Sequence, residues 1–303
     1  MSRVDEALKR ARELATAPPV AEPHREGPRP VPELRTLDVY QSEEPRAAKT
    51  PSPSVPPPAA RHAERQLHLA KVHPRVGRAY EGKLVTGASV SAVSVEQYRR
   101  LAAALHNLQG EQGLNRLMVS SAVPQEGKTL TVANLALTLS ASYGRRVLLI
   151  DADLRRPSLH NVFDIANDGG LCEALQSESA APRCIQVSSN LWVLPAGTSM
   201  VDPMASLASD RMVRLIDDLA PQFDWVLLDA PPVALMADAG LLVRLTRAVV
   251  LVIAAGATPY TVVEKVVGEL GREHIVGTVL NRVDDDATKW SPYYSNVYTE
   301  RES

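Results

Sequence analysis

The sequence predicts an α/β domain built on a doubly wound, mostly parallel sheet. A proline-rich N-terminal region precedes it and a polar, tyrosine-bearing tail follows it. Three observations lead there. Short, continuously apolar runs recur from about residue 91 onward, the pattern of strands covered on both faces. Segments with helical spacing of apolar residues fall between them. The first apolar run leads straight into a Gly-Lys-Thr turn and then a helix, so strand, turn and helix follow in the order of a crossover unit.

Along the chain, "SVEQYRRLAAALHNL" reads as a helix, "NRLMVSS" as a strand, "TLTVANLALTLSASYG" as a helix ending near Gly144, and "RRVLLID" as a second buried strand. "LWVLPAG", "DWVLLDAPP", "AVVLVIAAG" and "IVGTVLNR" supply further strands, with helices at "SDRMVRLIDDLA" and "YTVVEKVVGELG". The expected domain spans residues 91–284.

The flanks differ sharply in composition. Twelve of the 23 prolines lie between residues 18 and 60, a stretch too poor in apolar surface to offset its ordering entropy, so a semi-extended linker is expected there. Residues 61–90 are left as linker or extension. At 1–17, Ser2 followed by Asp5 reads as a helix start, and Val4, Ala7, Leu8, Ala11, Leu14 and Ala15 share one helical face. The stripe is too small and alanine-rich for a lipid anchor; it packs on its own domain or docks on a tether.

Charge and composition exclude several classes. With 33 basic and 35 acidic residues the formal net charge is −2, which gives no global field toward nucleic acid. Two cysteines do not make a disulfide scaffold. The charged N-terminus lacks an apolar signal-peptide core, and the longest apolar run, residues 248–257, is too short to span a bilayer. A soluble, cytoplasmic chain is expected.

The chemistry starts at "AVPQEGKT", Ala122 to Thr129, a phosphate-binding loop with Ala122 in place of the first glycine. Backbone N–H groups across Gln125, Glu126, Gly127, Lys128, Thr129 and Leu130 are expected to cradle phosphates at a helix N-terminus. Gly127 allows close backbone approach, Lys128 reaches the β- and γ-phosphates, and the Thr129 hydroxyl ligates Mg²⁺. Asp229 ends the run "VLLD", where an acidic residue holds the metal. Asp151 and Asp153 follow "VLLI", on one face if the backbone stays extended there. Mg²⁺ is hard and takes oxygen ligands, so Thr129, Asp153 and Asp229 form the expected metal set. Arg155 and Arg156 are left either to contact phosphate or to pair with the aspartates.

Taken in order, "AVPQEGKT", "VLLIDADLRRPSLH", "WVLLDAPPV" and a tyrosine-bearing tail resemble the bacterial tyrosine kinases of exopolysaccharide and capsule biosynthesis, over roughly residues 91–303. "LPAGTSMVDPMASLAS" and "MADAGLLVRL" look like family segments, and "SRVDEALKRA" resembles the start of free-standing members. The resemblance implies a P-loop domain that uses ATP and Mg²⁺ to phosphorylate its own tail. It implies catalytic roles for Lys128, Asp151 and Asp153, with Asp151 as the residue that deprotonates or orients the acceptor phenol. It implies a base contact from Asn281 and phosphoacceptors at Tyr293, Tyr294 and Tyr298. It also implies a separate transmembrane co-polymerase or activator that brings the chain to the inner face of the plasma membrane, a homo-oligomer, and a cognate tyrosine phosphatase.

Two positions depart from the family pattern: Gln125 stands where relatives usually carry glycine, and Ala102 replaces the last arginine of an E-x-x-R-x-x-R helix that Glu96 and Arg99 begin. Two other classes share the nucleotide signature. A positioning ATPase usually carries a second lysine where Val123 stands, and a non-catalytic ATP-binding scaffold of an export complex would show no autophosphorylation. The tail, residues 285–303, reaches roughly 60 Å if extended at ~3.3 Å per residue, enough to enter a neighbouring subunit's site. Pro292 disfavours helix just before Tyr293 and Tyr294. Each phosphate adds about −1.5 to −2 charge, and the tail is already acidic, so labelling is expected to expel it.

Overall fold

The computed structural model describes residues 68–71, 76–87, 89–177, 181–198, 200, 202–235 and 239–283. The helix expected at 1–17, the linker at 18–60 and the tail at 285–303, with all three of its tyrosines, lie outside the described residues.

An eight-stranded sheet, in the order β1-β4-β5-β3-β6-β2-β7-β8, organises the described fold. Its strands are β1 (His68–Lys71), β2 (Arg116–Ser121), β3 (Val147–Asp151), β4 (Arg183–Ser188), β5 (Leu191–Leu194), β6 (Trp225–Asp229), β7 (Val249–Ala254) and β8 (Ile275–Asn281). All pairs are parallel except β4–β5. The expectation of a mostly parallel sheet therefore holds, with one antiparallel hairpin at Ser188–Leu191. Six strands are those expected from apolar runs. The other two, β1 and β4, were missed: "HLAK" and "RCIQVS" are short and mix polar with apolar residues, so neither makes a continuous apolar run.

The helices are α1 (Ala92–Gln112), α2 (Lys128–Ser142), α3 (Leu159–Val162), α4 (Leu171–Gln176), α5 (Pro203–Leu207), α6 (Asp210–Leu219), α7 (Ala239–Thr246) and α8 (Tyr260–Leu270). Local chemistry sets their ends. Ser91 accepts from the Ser94 N–H to start α1, and Ser209 accepts from Met212 to start α6, the usual work of a hydroxyl at a helix N-terminus.

The period-two alternation of the central strands sorts side chains to two cores. Leu117, Val119, Val147, Leu149 and Leu227 face α1, α2 and α3, where Ala102, Leu105, Val132, Leu135, Leu139 and Leu159 close one core. Met118, Leu148, Ile150, Val226 and Leu228 face the other side, where Leu171, Met212, Leu215, Leu242 and Val266 close the second. Ala102 is fully buried in the first core. An arginine there would have to carry its chain out past α2 before reaching solvent.

This winding brings β3, β6 and β2 side by side. The loop after β2, the aspartates after β3 and the aspartate ending β6 thus meet at one carboxyl edge, where open α/β sheets place their ligand sites.

Candidate active site

The loop 122–127 leaves β2 and enters α2 at Lys128. Gly127 has φ = 95°, and a Cβ on it would collide with the Asn281 side-chain nitrogen. Both facts demand glycine. Gln125 also sits at positive φ, 67°, a left-handed backbone that costs a side-chain-bearing residue roughly 1–2 kcal/mol. So the loop follows the path a glycine would take, with glutamine held in it.

Lys128 organises the cluster. Its Nζ lies 2.9 Å from Asp153 Oδ2 and 3.2 Å from Asp229 Oδ1 and donates to Thr129 Oγ1 at 3.3 Å. Thr129 Oγ1 donates to Asp229 Oδ2 at 2.7 Å and accepts from Ser158 Oγ at 3.1 Å. Burial lowers the Lys128 ammonium's affinity for its proton, but the Asp229 and Asp153 carboxylates outweigh that and hold its pKa above the ordinary value. Burial pushes the Asp229 carboxyl up, against the pull of Lys128.

The two aspartates at the end of β3 meet different partners. The ladder with β6 runs on through Ala152, whose N–H donates to Asp229 O. Asp151, fully buried, turns toward α3: its Oδ2 accepts from the N–H groups of Ser158 and Leu159 at 2.9 and 3.0 Å, and its Oδ1 accepts from Asp153 N at 3.3 Å. Asp153 reaches Lys128 instead. Burial, then the neighbouring Asp229 charge, pushes the Asp151 carboxyl up to about 7.

Lys128, Thr129, Leu130, Asp153, Ser158, Gln125 and Gly127 line a cavity of ≈ 610 Å³, together with the exposed Arg155 and Arg156. Asp151 lies beneath this wall. A larger cavity, ≈ 830 Å³, opens at the amino ends of β2, β7 and β8. There Arg116 is spent on Asp217 at 2.7 Å, whereas the phosphate-type loop and the start of α2 line the smaller cavity, so the chemistry belongs to the carboxyl edge.

Two of the expected site residues make side-chain contacts within the protein. The Glu126 side chain, 1% exposed, points back into the protein. Its Oε2 accepts from Val123 N at 2.7 Å, and its Oε1 accepts from Ala254 N at 3.0 Å and from the Thr258 hydroxyl. It ties the loop to the end of β7 and leaves only its backbone toward the cavity. The Asn281 amide donates to Glu126 O at 2.7 Å, so it braces the loop, while Arg282 beyond it lines the cavity and donates to Gln125 O. Sequence reasoning missed Ser158 and Tyr80, which also line the cavity. Ser158 stands in the quoted "LRRPSLH" and was legible as a hydroxyl near the second motif; nothing in the sequence marked Tyr80.

The donor set fits a nucleotide with a divalent cation. Two buried carboxylates, Asp153 and Asp229, face one ammonium, leaving negative charge for a cation to neutralise, and the hydroxyl and carboxylate oxygens are hard ligands. Among the described residues no group of three or more His, Cys, Asp or Glu is spaced to hold a metal alone, and none of their helices is long and apolar enough to cross a membrane.

Comparison with known proteins agrees with this geometry. A family model described as an AAA domain matches residues 125–263. Tyrosine-protein kinase YwqD of Bacillus subtilis is 34% identical over 194 residues, 63% of this chain and 81% of that one. Succinoglycan biosynthesis transport protein ExoP of Rhizobium meliloti is 34% identical over 201 residues, 61% of this chain but 25% of ExoP. The solved kinase domain of the Escherichia coli tyrosine kinase ETK superposes with a TM-score of 0.57 at 31% identity, over 63% of this chain and 77% of that one. Kinase relatives of this extent favour the kinase expectation over the positioning ATPase. The chain belongs to the bacterial tyrosine-protein kinase family.

Proposed function

We propose that the chain transfers the γ-phosphoryl group of ATP to tyrosines of its own C-terminal segment, Tyr293, Tyr294 and Tyr298, and that this labelling regulates synthesis or export of an exopolysaccharide. The observation that carries the reading is the cluster at the start of α2, where Lys128 and Thr129 meet Asp153 and Asp229 on the edge of a cavity large enough for a nucleotide.

Backbone N–H groups from Gln125 to Leu130 and the positive end of α2 receive the phosphates. Lys128 exchanges its carboxylate partners for phosphate oxygens, while Thr129, Asp229 and Asp153 hold the metal. Mg²⁺, when bound, neutralises charge on the phosphates and orients the one transferred. A tyrosine hydroxyl titrates near pH 10, so the acceptor needs a carboxylate to take or orient its proton. Asp153, on the cavity wall, takes that position in our reading. Asp151 holds the loop between β3 and α3 from below. This moves the acceptor role from Asp151, where the family resemblance put it, to Asp153, because Asp151's oxygens are engaged by backbone N–H groups in a buried layer.

The similarity to ExoP, named for succinoglycan biosynthesis and transport, supports a place in polysaccharide export. On this reading a separate transmembrane co-polymerase activates the kinase and holds it at the inner face of the plasma membrane, copies of the chain assemble so that tails reach neighbouring sites, and a phosphatase reverses the labelling. The test is Lys128→Met in the full chain, incubated with Mg-ATP and probed for phosphotyrosine. The reading requires loss of label. Self-labelling equal to wild type contradicts the site.

A further inference from the structure

We propose that Tyr80 is a second phosphoacceptor, labelled by the active site of its own chain. The proposal rests on the kinase reading above and adds an acceptor to that same site.

Tyr80 closes a short 3-10 turn, Arg78–Tyr80, in the segment 76–87 that precedes α1. Tyr80 lines the cavity that also presents Lys128, Thr129, Asp153 and Ser158. Of the tyrosines among the described residues, Tyr98, Tyr143 and Tyr260 do not line it.

The segment is fixed on both sides of the ring. Ahead of it, Gly77 N–H donates to Val162 O of α3 at 3.1 Å, and a Cβ on Gly77 would collide with Asn161 O, so only glycine allows this approach. Behind it, the buried Asn134 of α2 accepts from Val85 N at 2.8 Å and donates to Lys83 O at 3.0 Å, with Leu84 buried between. A buried amide satisfied on both its donor and acceptor atoms by one segment is a specific clamp. The two anchors stand on the helices that follow the second motif and the phosphate loop.

Tyr80 also lies on the carboxylate flank of the loop. Its anchor α3 follows β3, whereas Asn281 and Arg282 follow β8 on the other side of β2. Asp153, just after β3, lines the same cavity as Tyr80. Cations are ready for the product: the Lys83 ammonium lies 5.8 Å from the Tyr80 ring centroid, and Arg155 and Arg156 line the cavity. A phosphate bringing about −1.5 to −2 charge pairs naturally with such groups.

The step balances. The phenolic oxygen bonds to the γ-phosphorus, the bond from that phosphorus to the β,γ-bridging oxygen breaks, and ADP leaves with that oxygen and its electron pair. The phenolic proton passes to a carboxylate of the cavity. Because both anchors belong to the same chain, the reaction is intramolecular, and its rate per molecule does not depend on protein concentration.

The experiment treats the full chain with Mg-ATP at several concentrations and maps phosphotyrosine by mass spectrometry, alongside Tyr80→Phe. The expected result is a labelled Tyr80 peptide whose rate per molecule holds over about a hundred-fold dilution, lost in Tyr80→Phe while tail labelling persists. Labelled tail tyrosines with an unlabelled Tyr80 overturn the proposal and leave the kinase reading intact, as does Tyr80 labelling that rises with concentration. A Tyr80→Phe chain that binds ATP more weakly, with no Tyr80 label in wild type, makes the ring a wall of the nucleotide site and overturns it too. No phosphotyrosine anywhere overturns the reading on which it rests.

Discussion

Glu126→Ala is the sharpest test of how the phosphate loop is held. The wild-type carboxylate is buried and accepts from three donors: Val123 N, Ala254 N and the Thr258 hydroxyl. Alanine leaves the two backbone N–H groups without that acceptor, each at about 1–3 kcal/mol, while the Thr258 hydroxyl can rotate elsewhere. The expected loss is therefore about 2–6 kcal/mol, which for a domain of this size lowers the melting temperature by roughly 5–20 °C. Glu126→Gln keeps one acceptor oxygen but turns an NH₂ toward one of the donors, so it falls between the two. The assay is thermal and urea denaturation of nucleotide-free protein, which needs no assumption about activity. A Glu126→Ala chain that melts within about 2 °C of wild type refutes the claim that this side chain ties the loop to β7.

Two further predictions concern backbone and charge. Gln125 holds φ = 67°, so Gln125→Gly should leave stability equal or raised by up to about 1 kcal/mol, while β-branched Gln125→Val should lower it by about 1–2 kcal/mol; urea midpoints decide, and a Val variant as stable as Gly contradicts the strain. The Asp151 carboxyl is raised from 3.8 to about 7, so the stability it contributes is fully present below pH 4 and lost as pH rises through 7, on the order of 4 kcal/mol in all. In EDTA without nucleotide, Asp151→Asn should thus gain on wild type between pH 4 and 8, and a difference that stays flat across that range contradicts the shift.

Much of this fold was legible because its central strands are buried on both faces. "LMVSS", "VLLID", "WVLLD" and "VVLVIA" read as covered strands, and the first three end where the chemistry begins. Lys128, Thr129, Asp153 and Asp229 could be grouped in advance because strand-end motifs converge at one sheet edge. What sequence did not carry is direction. The spacing of Asp151 and Asp153 implied one face if the chain stayed extended, but it could not show that Asp151 is taken by the Ser158 and Leu159 N–H groups and Asp153 by Lys128. Glu126 reads as a loop residue like its neighbours, and only its distant partners Ala254 and Thr258 reveal a tether. The segment around Tyr80 has neither helical nor strand period, since its position comes from Asn134 and from the carbonyl groups of α3.

The central claim is autophosphorylation of the tail, and site mapping tests it most directly. Full-length wild type and a variant with Tyr293, Tyr294 and Tyr298 all replaced by phenylalanine are incubated with Mg-ATP and compared by phosphopeptide mass spectrometry. Phenylalanine keeps each ring and removes only the acceptor oxygen. The account predicts phosphate on residues 293–298 of the wild type and loss of most labelling in the variant, with folding and ATP hydrolysis unchanged. Phosphate located mainly on Tyr40, or no phosphotyrosine in a wild-type chain that hydrolyses ATP, contradicts it.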